Sequence, residues 1–218
     1  MAKRISADQI HELIEATLSE LPPAPLLAAF SGGLDSSVLL HAFARSAGAR
    51  KRGLRAVHVD HRLHGESTSW ARHCRGFADA LGVELIVCAT DVKREPGLGL
   101  EANARRARYA EIESVLAPGE ILALAHHRDD QAETVLLKLL RGAGPEGLAG
   151  MRAWRRFGAG FAWRPLLDLP RAALLAYARQ HALVWIDDPS NADTRIGRNF
   201  LRHALLPELA QRWPHSAA

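Results

Sequence analysis

Short apolar runs alternate with amphipathic stretches along the first two thirds of the chain. The apolar runs predict strands over Pro25–Phe30, Leu54–Val59, Glu84–Ala89 and Ile121–Ala125. The stretches that follow them have helical spacing, over Asp35–Ser46, Glu66–Leu81, Glu101–Leu116 and Asp129–Arg141. This alternation is typical of βαβ units in a parallel sheet. We therefore expect an α/β fold: a parallel, doubly wound, Rossmann-like sheet with helices on both faces and ligands at the carboxyl ends of its strands.

The pattern changes after Arg141, where glycines and prolines interrupt it. Residues 152–164 mix aromatic residues with arginines, and this composition fits either a strand pair or a mobile flap. The remaining segments predict a helix over Arg171–His181, a short strand over Leu183–Ile186, a turn over Asp187–Asn191 and a helix over Gly197–Leu209.

Composition is that of an ordinary globular protein. Of the 218 residues, 48% are apolar and 24% are charged, which excludes a disordered chain, a collagen and a disulfide scaffold. No apolar run reaches the roughly 18–20 residues of a membrane span, and acidic residues near the N-terminus argue against a signal peptide. Two cysteines, Cys74 and Cys88, favour a reducing compartment. We expect a cytoplasmic protein without membrane contact.

Charge is distributed unevenly along the chain. Residues 1–140 hold 17 basic and 18 acidic residues, whereas residues 141–218 hold 11 basic and 6 acidic ones. The net charge of +5 in this last third suits an anionic polymer such as nucleic acid. A coding bias towards arginine is the simpler alternative, because only 4 of the 28 basic residues are lysines.

The most specific motif is the segment Ser31–Ser37, which follows a predicted strand and opens a predicted helix. Its glycines allow a tight turn close to an anion, and the N–H groups and dipole of the helix favour a phosphate there. Asp35 would repel that phosphate unless it holds Mg²⁺, which bridges carboxylate and phosphate oxygens. An ordinary turn with Asp35 or Ser36 as the helix cap is the alternative.

The SGGxDS pattern of this segment resembles the PP-loop of the N-type ATP pyrophosphatases, and no Walker Gly-Lys-Ser/Thr follows it. The resemblance implies an adenine nucleotide alpha-hydrolase-like fold, cleavage of ATP between its α- and β-phosphates, and Mg²⁺ held by Asp35 with the phosphates. The implied ATP contacts in the loop are Ser31, Gly32, Gly33, Leu34, Asp35, Ser36 and Ser37. His58 and Val59 are expected to frame the adenine, with a satisfied core histidine as an equal alternative for His58.

Further motifs narrow the resemblance to one family. They are HHRDDQAET at residues 126–134, RPLL at 164–167, DPSN at 188–191 and RN at 198–199. In this order and spacing the chain resembles the tRNA(Ile)-lysidine synthases. The resemblance implies a ligase that joins free L-lysine to C2 of the wobble cytidine of tRNA(Ile) with a CAU anticodon, through an adenylated cytidine. The lysidine formed changes decoding from AUG to AUA.

Two features depart from the family pattern. Members often have DHGLR where this chain has Asp60-His61-Arg62-Leu63-His64, which leaves the roles of residues 62 and 64 open. Members also continue into further tRNA-binding domains, whereas this sequence ends at Ala218. We expect residues 1–218 to be a single N-terminal catalytic domain, with a nucleotide-binding core at about 20–145 and a basic, tRNA- or substrate-facing extension at about 146–218.

The implied reaction needs a neutral lysine amine, although the pKa of that amine in water is about 10.4. Asp130 and Glu133 are three residues apart, hence on one helical face, where two carboxylates can hold an ammonium group. The resemblance makes them the lysine-recognition pair, with one of them or His127 accepting a proton. One alternative is that these are first-turn acids that favour the helix dipole, and for Asp129 we expect that role or a structural cap. Another is a zinc site of His126, His127 and Asp130.

Arginines supply the predicted contacts to anions. Arg105 shares a helical face with Glu101 and Arg108, and the resemblance favours a catalytic place near phosphate or substrate over a simple ion pair. Arginines interleaved with tryptophans in the basic third suit an unstacked anticodon base. The candidate tRNA contacts are Arg152, Arg155, Arg156, Arg198 and Asn199.

Other functions stay open at this stage. The nearest rival is a PP-loop cytidine or uridine thiolase of tRNA, which commonly uses paired or cluster-binding cysteines. Cys74 falls in a helix pattern and Cys88 in a strand pattern, which argues against it. A non-catalytic fragment that binds tRNA and ATP is the second alternative, and the intact loop argues against that. The oligomeric state is open, with a homodimer as one expectation.

Overall fold

The computed structural model describes residues 7–62, 65–90 and 99–213. Within these ranges the helices are α1 Ala7–Glu20, α2 Leu34–Arg45, α3 Ala47–Lys51, α4 Ser67–Ala80, α5 Leu100–Val115, α6 Arg128–Leu140, α7 Arg171–Gln180, α8 Gly197–Phe200 and α9 Leu206–Arg212. The strands are β1 Leu26–Ala29, β2 Leu54–Asp60, β3 Glu84–Ala89, β4 Ile121–Ala123, β5 Trp154–Phe157 and β6 Gly160–Trp163. None of the helices in these ranges is long and apolar enough to cross a membrane.

The six strands form one sheet in the order β3-β2-β1-β4-β6-β5. Neighbouring strands are parallel except β5 and β6, which form an antiparallel hairpin. In β1, Leu26 pairs with Leu54 of β2 on one side and with Ile121 of β4 on the other. The predicted α/β architecture with a largely parallel, doubly wound sheet is confirmed.

The central strand β1 is buried on both faces, which explains its continuous apolar sequence. Leu26 and Ala28 pack in a core with residues of α1, α2, α3, α4 and α7. Leu27 lies between them in sequence and packs on the opposite face with Ile112 of α5 and Leu122 of β4. Because side chains alternate along a strand, one strand supports two cores.

The strand order places a crevice beside β1. From β1 the chain runs outward through β2 to β3, and it then returns to the other side of β1 as β4. Ligands of doubly wound sheets bind at the carboxyl ends of the strands where the order reverses in this way. The Ser31–Ser37 segment follows β1 and the segment at 126–134 follows β4, so the topology brings the two most specific motifs together.

The last third of the chain departs from the predictions in two places. Leu183–Ile186 is not a strand. Leu183, Trp185 and Ile186 pack on the core while Val184 is exposed, and the Ile186 N–H donates to the Gly32 carbonyl at 2.8 Å. The helix predicted over Gly197–Leu209 is present and runs on to Arg212, but its turn over Leu201–Leu205, between α8 and α9, is π-helical. Residues 152–164 contain the β5–β6 hairpin, so of the two alternatives for this segment the strand pair is confirmed.

Candidate active site at the carboxyl edge of the sheet

The Ser31–Ser37 loop is shaped by a glycine that both conformation and space require. Gly32 has a φ of +84°, in the left-handed region that favours glycine. A Cβ atom there would lie 2.6 Å from Ile186 Cδ1 and 2.8 Å from Cys74 Sγ. The Gly32 carbonyl also accepts the Ile186 N–H. The loop is therefore clamped between α4 and the segment that follows α7.

Two hydroxyl groups of the loop organise the loop itself. Ser36 Oγ donates to the Gly33 carbonyl at 3.0 Å, and Ser37 Oγ donates to the Gly32 carbonyl at 3.4 Å. Both serines are buried and donate to carbonyls of the loop, so their hydroxyl groups shape the loop instead of pointing to solvent. The exposed and half-exposed residues of the loop are Ser31, Gly33 and Asp35.

Asp35 lies in the first turn of α2 and turns its carboxylate towards the end of β4. Its Oδ2 atom is 3.6 Å from His127 Nε2, and its Oδ1 atom is 4.0 Å from Arg171 Nε. Oδ1 is buried and accepts no hydrogen bond within the described ranges. Such an oxygen fits a cation ligand, so this residue is compatible with Mg²⁺. The described side chains include no group of three or more that could hold a metal ion, so a cation here requires other ligands, such as phosphate oxygens.

His127 is completely buried among three carboxylates. Its Nε2 atom is 3.6 Å from Asp35 Oδ2 and 3.5 Å from Asp130 Oδ2, and its Nδ1 atom is 3.6 Å from Asp129 Oδ2. Burial alone lowers the pKa of this imidazole, but the attraction of the three carboxylates outweighs burial and raises the pKa to about 9. His127 is therefore a cation at neutral pH. In this state it already carries its proton, which disfavours it as the base that the sequence left as one alternative.

Asp130 and Glu133 lie side by side, as their spacing predicts, but arginines already bind them. Arg202 donates to Glu133 from Nε at 2.7 Å and from Nη2 at 3.1 Å, and its Nη2 also reaches Asp130 at 3.3 Å. Arg198 Nε lies 3.6 Å from Glu133 Oε2. Burial raises the pKa of Glu133 despite these guanidinium groups. A lysine ammonium at this pair must therefore share it with Arg202 or displace Arg202.

Asp129 connects α6 to α7. Its Oδ2 atom accepts the N–H of Arg171 at 2.8 Å, at the first residue of α7. Burial raises the pKa of Asp129, but its contacts with His127 and with the Arg171 N–H outweigh burial and lower the pKa to about 2. Asp129 therefore acts as a cap, but on a different helix from the one that contains it.

The charges of this carboxylate cluster balance within the described part of the chain. The anions are Asp35, Asp129, Asp130 and Glu133, and the cations are His127, Arg171, Arg198 and Arg202. Buried charges are tolerated when they are paired. Any charged ligand that enters must therefore bring a counter-charge or displace one of these side chains.

His58 and Val59 lie at the carboxyl end of β2. His58 is buried, with its Nδ1 atom 3.0 Å from the Phe30 carbonyl oxygen and 3.5 Å from Cys74 Sγ. Burial lowers the pKa of His58, so this histidine is neutral. The geometry corresponds to the satisfied core histidine. Val59 is half-buried against the core on the α5 face.

His126 and Arg105 are associated with other partners than the carboxylate cluster. His126 Nδ1 accepts a hydrogen bond from Arg164 Nε at 3.2 Å, and Arg105 Nη2 donates to the Tyr109 hydroxyl at 3.2 Å. His126 and His127 thus have separate surroundings. The zinc site considered from the sequence finds no support among the described side chains.

The predicted tRNA contacts divide into exposed and internal residues. The exposed arginines, on β5 and just before it, are Arg152, Arg155 and Arg156. Arg198 instead belongs to the carboxylate cluster. Asn199 is buried, and its amide donates to the carbonyls of Ser190 at 2.8 Å and Asp193 at 3.1 Å. Its side chain therefore holds the turn before α8, a position that does not fit a surface contact to tRNA.

A family model described as the PP-loop domain matches residues 3–209. The chain belongs to the PP-loop domain family. We therefore refer to the Ser31–Ser37 segment as the PP-loop. Its backbone is clamped by Ile186 and Cys74, and its Asp35 side chain belongs to the carboxylate cluster.

Curated relatives of this PP-loop domain share one name. The chain is 58% identical over 205 residues to the tRNA(Ile)-lysidine synthase of Xanthomonas campestris pv. campestris. This match covers 94% of the chain and 46% of the relative. The chain is 55% identical over 207 residues to the tRNA(Ile)-lysidine synthase of Alkalilimnicola ehrlichii, with the same two coverages of 94% and 46%. The chain thus spans less than half the length of these relatives.

Two solved structures illustrate that other proteins share this fold. The U34-tRNA thiolase NcsA from Methanococcus maripaludis, with its iron–sulfur (4Fe-4S) cluster, has a TM-score of 0.71 at 16% identity, over 96% of this chain and 75% of that one. The NH3-dependent NAD synthetase from Campylobacter jejuni has a TM-score of 0.52 at 13% identity, over 93% and 82%. At these identities the likeness concerns the fold alone.

The backbone at Arg62 explains why the family pattern has glycine at this position. Arg62 has a φ of +52°, in the left-handed region where glycine is favoured, and the pattern DHGLR has glycine at this position. The Arg62 N–H donates to Asp60 Oδ1 at 2.9 Å. Leu63 and His64 lie outside the described residues.

Three residues of the PP-loop site are absent from the sequence-based candidates. Arg202 binds the Asp130–Glu133 pair, Arg171 lies beside Asp35, and Ile186 clamps the PP-loop. The four-residue spacing of Arg198 and Arg202 was a usable signal, because it predicts a shared helical face. No local pattern connects Arg171 or Ile186 with the loop, since tertiary packing alone brings them there.

Proposed function

We propose that this PP-loop domain is the catalytic part of a tRNA(Ile)-lysidine synthetase. The proposed reaction ligates free L-lysine to C2 of the wobble cytidine of tRNA(Ile) with a CAU anticodon, and it converts ATP to AMP and pyrophosphate. The product changes decoding from AUG to AUA. The observation that carries the proposal is Asp35 of the PP-loop beside His127 and Asp130, in a chain 58% identical to a relative named for this reaction.

In the first proposed step, O2 of the cytidine attacks the α-phosphorus of ATP, the P–O bond to the β-phosphate breaks, and pyrophosphate leaves. We assign the leaving phosphates to the PP-loop, because the start of α2 favours anions. Asp35 would hold Mg²⁺ at this place, and the ion would neutralise charge that develops on the leaving group. Arg171, 4.0 Å from Asp35, adds a positive charge at the same place.

In the second proposed step, the neutral ε-amine attacks C2, the C–O bond breaks, and AMP leaves. A base must take a proton from lysine, and the cationic His127 cannot do so. We assign this role to Glu133, because its burial raises the pKa of its carboxyl and makes it a better proton acceptor. Lysine enters as an ammonium that displaces Arg202 from the pair, which keeps the carboxylate cluster balanced.

The proposal is tested by incubating the chain with ATP, Mg²⁺, radiolabelled lysine and tRNA(Ile) with a CAU anticodon. We expect ATP-dependent label in the RNA and none when uridine replaces the wobble cytidine. The substitution D79N, at an exposed carboxylate of α4, is the matched control that keeps activity. Folded chain that binds ATP and RNA but incorporates no lysine would support the non-catalytic alternative instead.

A thiolase activity is disfavoured by the two cysteines of the sequence. Cys74 is buried, and burial raises the pKa of its thiol to about 12. Burial and the charge of Glu111 also raise the pKa of Cys88. Neither thiol ionises readily at neutral pH, so neither is suited to bind a cluster or to carry sulfur. Thiolated RNA formed with a sulfide donor in place of lysine would reverse this assignment.

A further inference from the structure

A second cluster of polar side chains lies beside the end of β4, outside the carboxylate cluster. Its central residue is Arg164, which directly follows β6 and is 5% exposed. Arg164 Nε donates to His126 Nδ1 at 3.2 Å, and Nη1 donates to the Arg152 carbonyl at 2.7 Å. No carboxylate in the described part of the chain forms an ion pair with this guanidinium. A buried charge without a counter-ion is costly, which indicates that a ligand supplies the counter-ion.

Arg164 also interacts with the Tyr109 hydroxyl, and two further hydrogen-bond donors, His126 and Arg105, lie close to it. Burial and the charges of Arg164, Arg105 and Arg198 lower the pKa of His126 to about 3, so the imidazole is neutral. Because its Nδ1 accepts from Arg164, its proton lies on Nε2, where it is a donor. Arg105 adds an exposed guanidinium, which contacts the Tyr109 hydroxyl and lies 5.0 Å from the centre of that ring. Among the described residues, Arg105 also has no carboxylate partner.

Arg164, His126 and Arg105, which we call the donor cluster, lie on the opposite side of one backbone segment from the PP-loop. His127 has extended backbone angles, with φ of −126° and ψ of 179°. Successive side chains of an extended chain point in opposite directions. His127 accordingly faces Asp35, and His126 faces Arg164. Both sites therefore lie at the carboxyl edge of the sheet, close enough for one large substrate to reach both.

We propose that Arg164, Arg105 and His126 form a phosphate-binding site, separate from the PP-loop, that holds an RNA phosphodiester beside the nucleotide being modified. Guanidinium groups match phosphate oxygens in bidentate geometry, and the histidine N–H adds a third donor. The phosphate chemistry follows from the unbalanced donors, whereas the choice of RNA rests on the proposed function, in which the PP-loop takes the leaving phosphates of ATP. The α-phosphate of ATP is the other possible source of the same chemistry.

The test compares R164K and R105Q with R75Q, an exposed arginine of α4, as the matched control. Calorimetry measures the binding of a CAU anticodon stem-loop RNA and, separately, of ATP with Mg²⁺. We expect each cluster variant to weaken RNA binding about tenfold, the effect of losing a hydrogen bond to a charged group, with ATP affinity unchanged. Arg105 is exposed, so R105Q keeps the test valid if R164K fails to fold.

A chemical change in the RNA locates the phosphate. An uncharged methylphosphonate is placed on either side of the wobble cytidine, and at one position it should weaken wild-type binding but have no further effect in R164K. Lower ATP affinity with unchanged RNA binding would assign the phosphate site to the nucleotide and overturn the RNA assignment. Unchanged affinity for both ligands in folded variants would overturn the site. These are binding measurements, so a failure of lysine incorporation alone would overturn the proposed function and leave the phosphate site standing.

Discussion

Asp35 presents a buried carboxylate oxygen that accepts no hydrogen bond within the described ranges, which fits a cation ligand better than a helix cap. We expect D35N to reduce ATP-dependent pyrophosphate release by about 100-fold or more, because the amide keeps the size but cannot bind Mg²⁺ equally well. Thermal stability should also fall, because D35N removes one of the three carboxylates around the buried, cationic His127. A coupled pyrophosphate assay with D79N as the control measures the effect, and wild-type release from D35N would contradict it.

The raised pKa of His127 makes stability depend on pH. The folded state holds this proton more tightly than the unfolded chain, so the contribution is complete below pH 6.5 and is lost as the pH rises through about 9. We expect the free energy of unfolding to fall by about 1–3 kcal/mol over that window. Denaturant unfolding at several pH values should show a shallower dependence for H127Q than for wild type. The control H203Q changes an exposed histidine and should keep the wild-type dependence; equal slopes in all three proteins would refute the assignment.

Glu133 and Arg202 should have opposite effects on lysine. We expect E133Q to weaken lysine binding by about 1–3 kcal/mol, the range for a hydrogen bond to a charged group, with ATP affinity nearly unchanged. R202Q removes the cation that competes for the same carboxylates, so it should tighten lysine binding. Calorimetry in the presence of a non-hydrolysable ATP analogue measures both. Unchanged lysine affinity in E133Q would reduce Glu133 to a first-turn acid, and weaker binding in R202Q would make Arg202 a positioning residue.

For single residues, the sequence predicts those neighbours that lie within one helix, because helix geometry determines which side chains share a face. Three residues separate Asp130 from Glu133, so their shared face follows from the helix alone. Arg202 comes from a position 69 residues after Glu133, and only tertiary packing places its guanidinium there. The protonation of His127 could not be predicted from the sequence for the same reason, since it depends on carboxylates from two different elements.

Among the elements, the turn from β1 into α2 offers a matched pair of glycines. We expect G32A to destabilise the fold by about 1–3 kcal/mol, because its φ of +84° is unfavourable for alanine and its Cβ meets Ile186 and Cys74. G33A should be nearly neutral for stability, since Gly33 has φ of −76° and its nearest neighbours would lie 3.6 Å and 3.9 Å away. Thermal denaturation of both variants measures the difference. An equal loss of stability in G32A and G33A would exclude the contacts of Gly32 with Ile186 and Cys74 as the cause.

The elements were predictable where one physical cause determines them. β1, β2 and β3 are apolar runs beside amphipathic helices, and both signals are local. Leu183–Ile186 has the same apolar character, but it packs against the core beside the PP-loop instead of pairing with a strand. The π-helical turn in the last helix had a signal in Pro207, which lies in the first turn of α9 and lacks the N–H that a continuous α-helix needs.

For the whole molecule, the uneven charge predicts a basic surface, and the β5–β6 hairpin provides one. We expect the triple substitution of Arg152, Arg155 and Arg156 by alanine to weaken binding of isoleucine tRNA and elongator methionine tRNA alike. It should also reduce the slope of log affinity against log salt by about two to three, because phosphate contacts release counterions. Filter binding at low and moderate salt measures this effect.

The control for this prediction removes the same charge elsewhere. Arg45, Arg72 and Arg75 are exposed on α2 and α4, and their replacement by alanine should leave the salt dependence near that of wild type. Equal losses in the two triple variants would mean that net charge, rather than the hairpin, determines tRNA binding. The hairpin's place at the sheet edge could not be predicted, because α6, an irregular loop and β5 separate β6 from β4 in sequence.

The contact between Gly32 and Ile186 also constrains when the loop can mature during translation. More than half of the chain separates these two residues, and β4 and β6, which complete the crevice, lie between them in sequence. The ribosome therefore releases β1 and the loop long before it releases the residue that clamps them. On a growing chain the Gly32 carbonyl cannot accept its hydrogen bond until Ile186 has been synthesised. The nucleotide-binding loop is therefore among the first parts of the domain to be made and among the last to reach its final conformation.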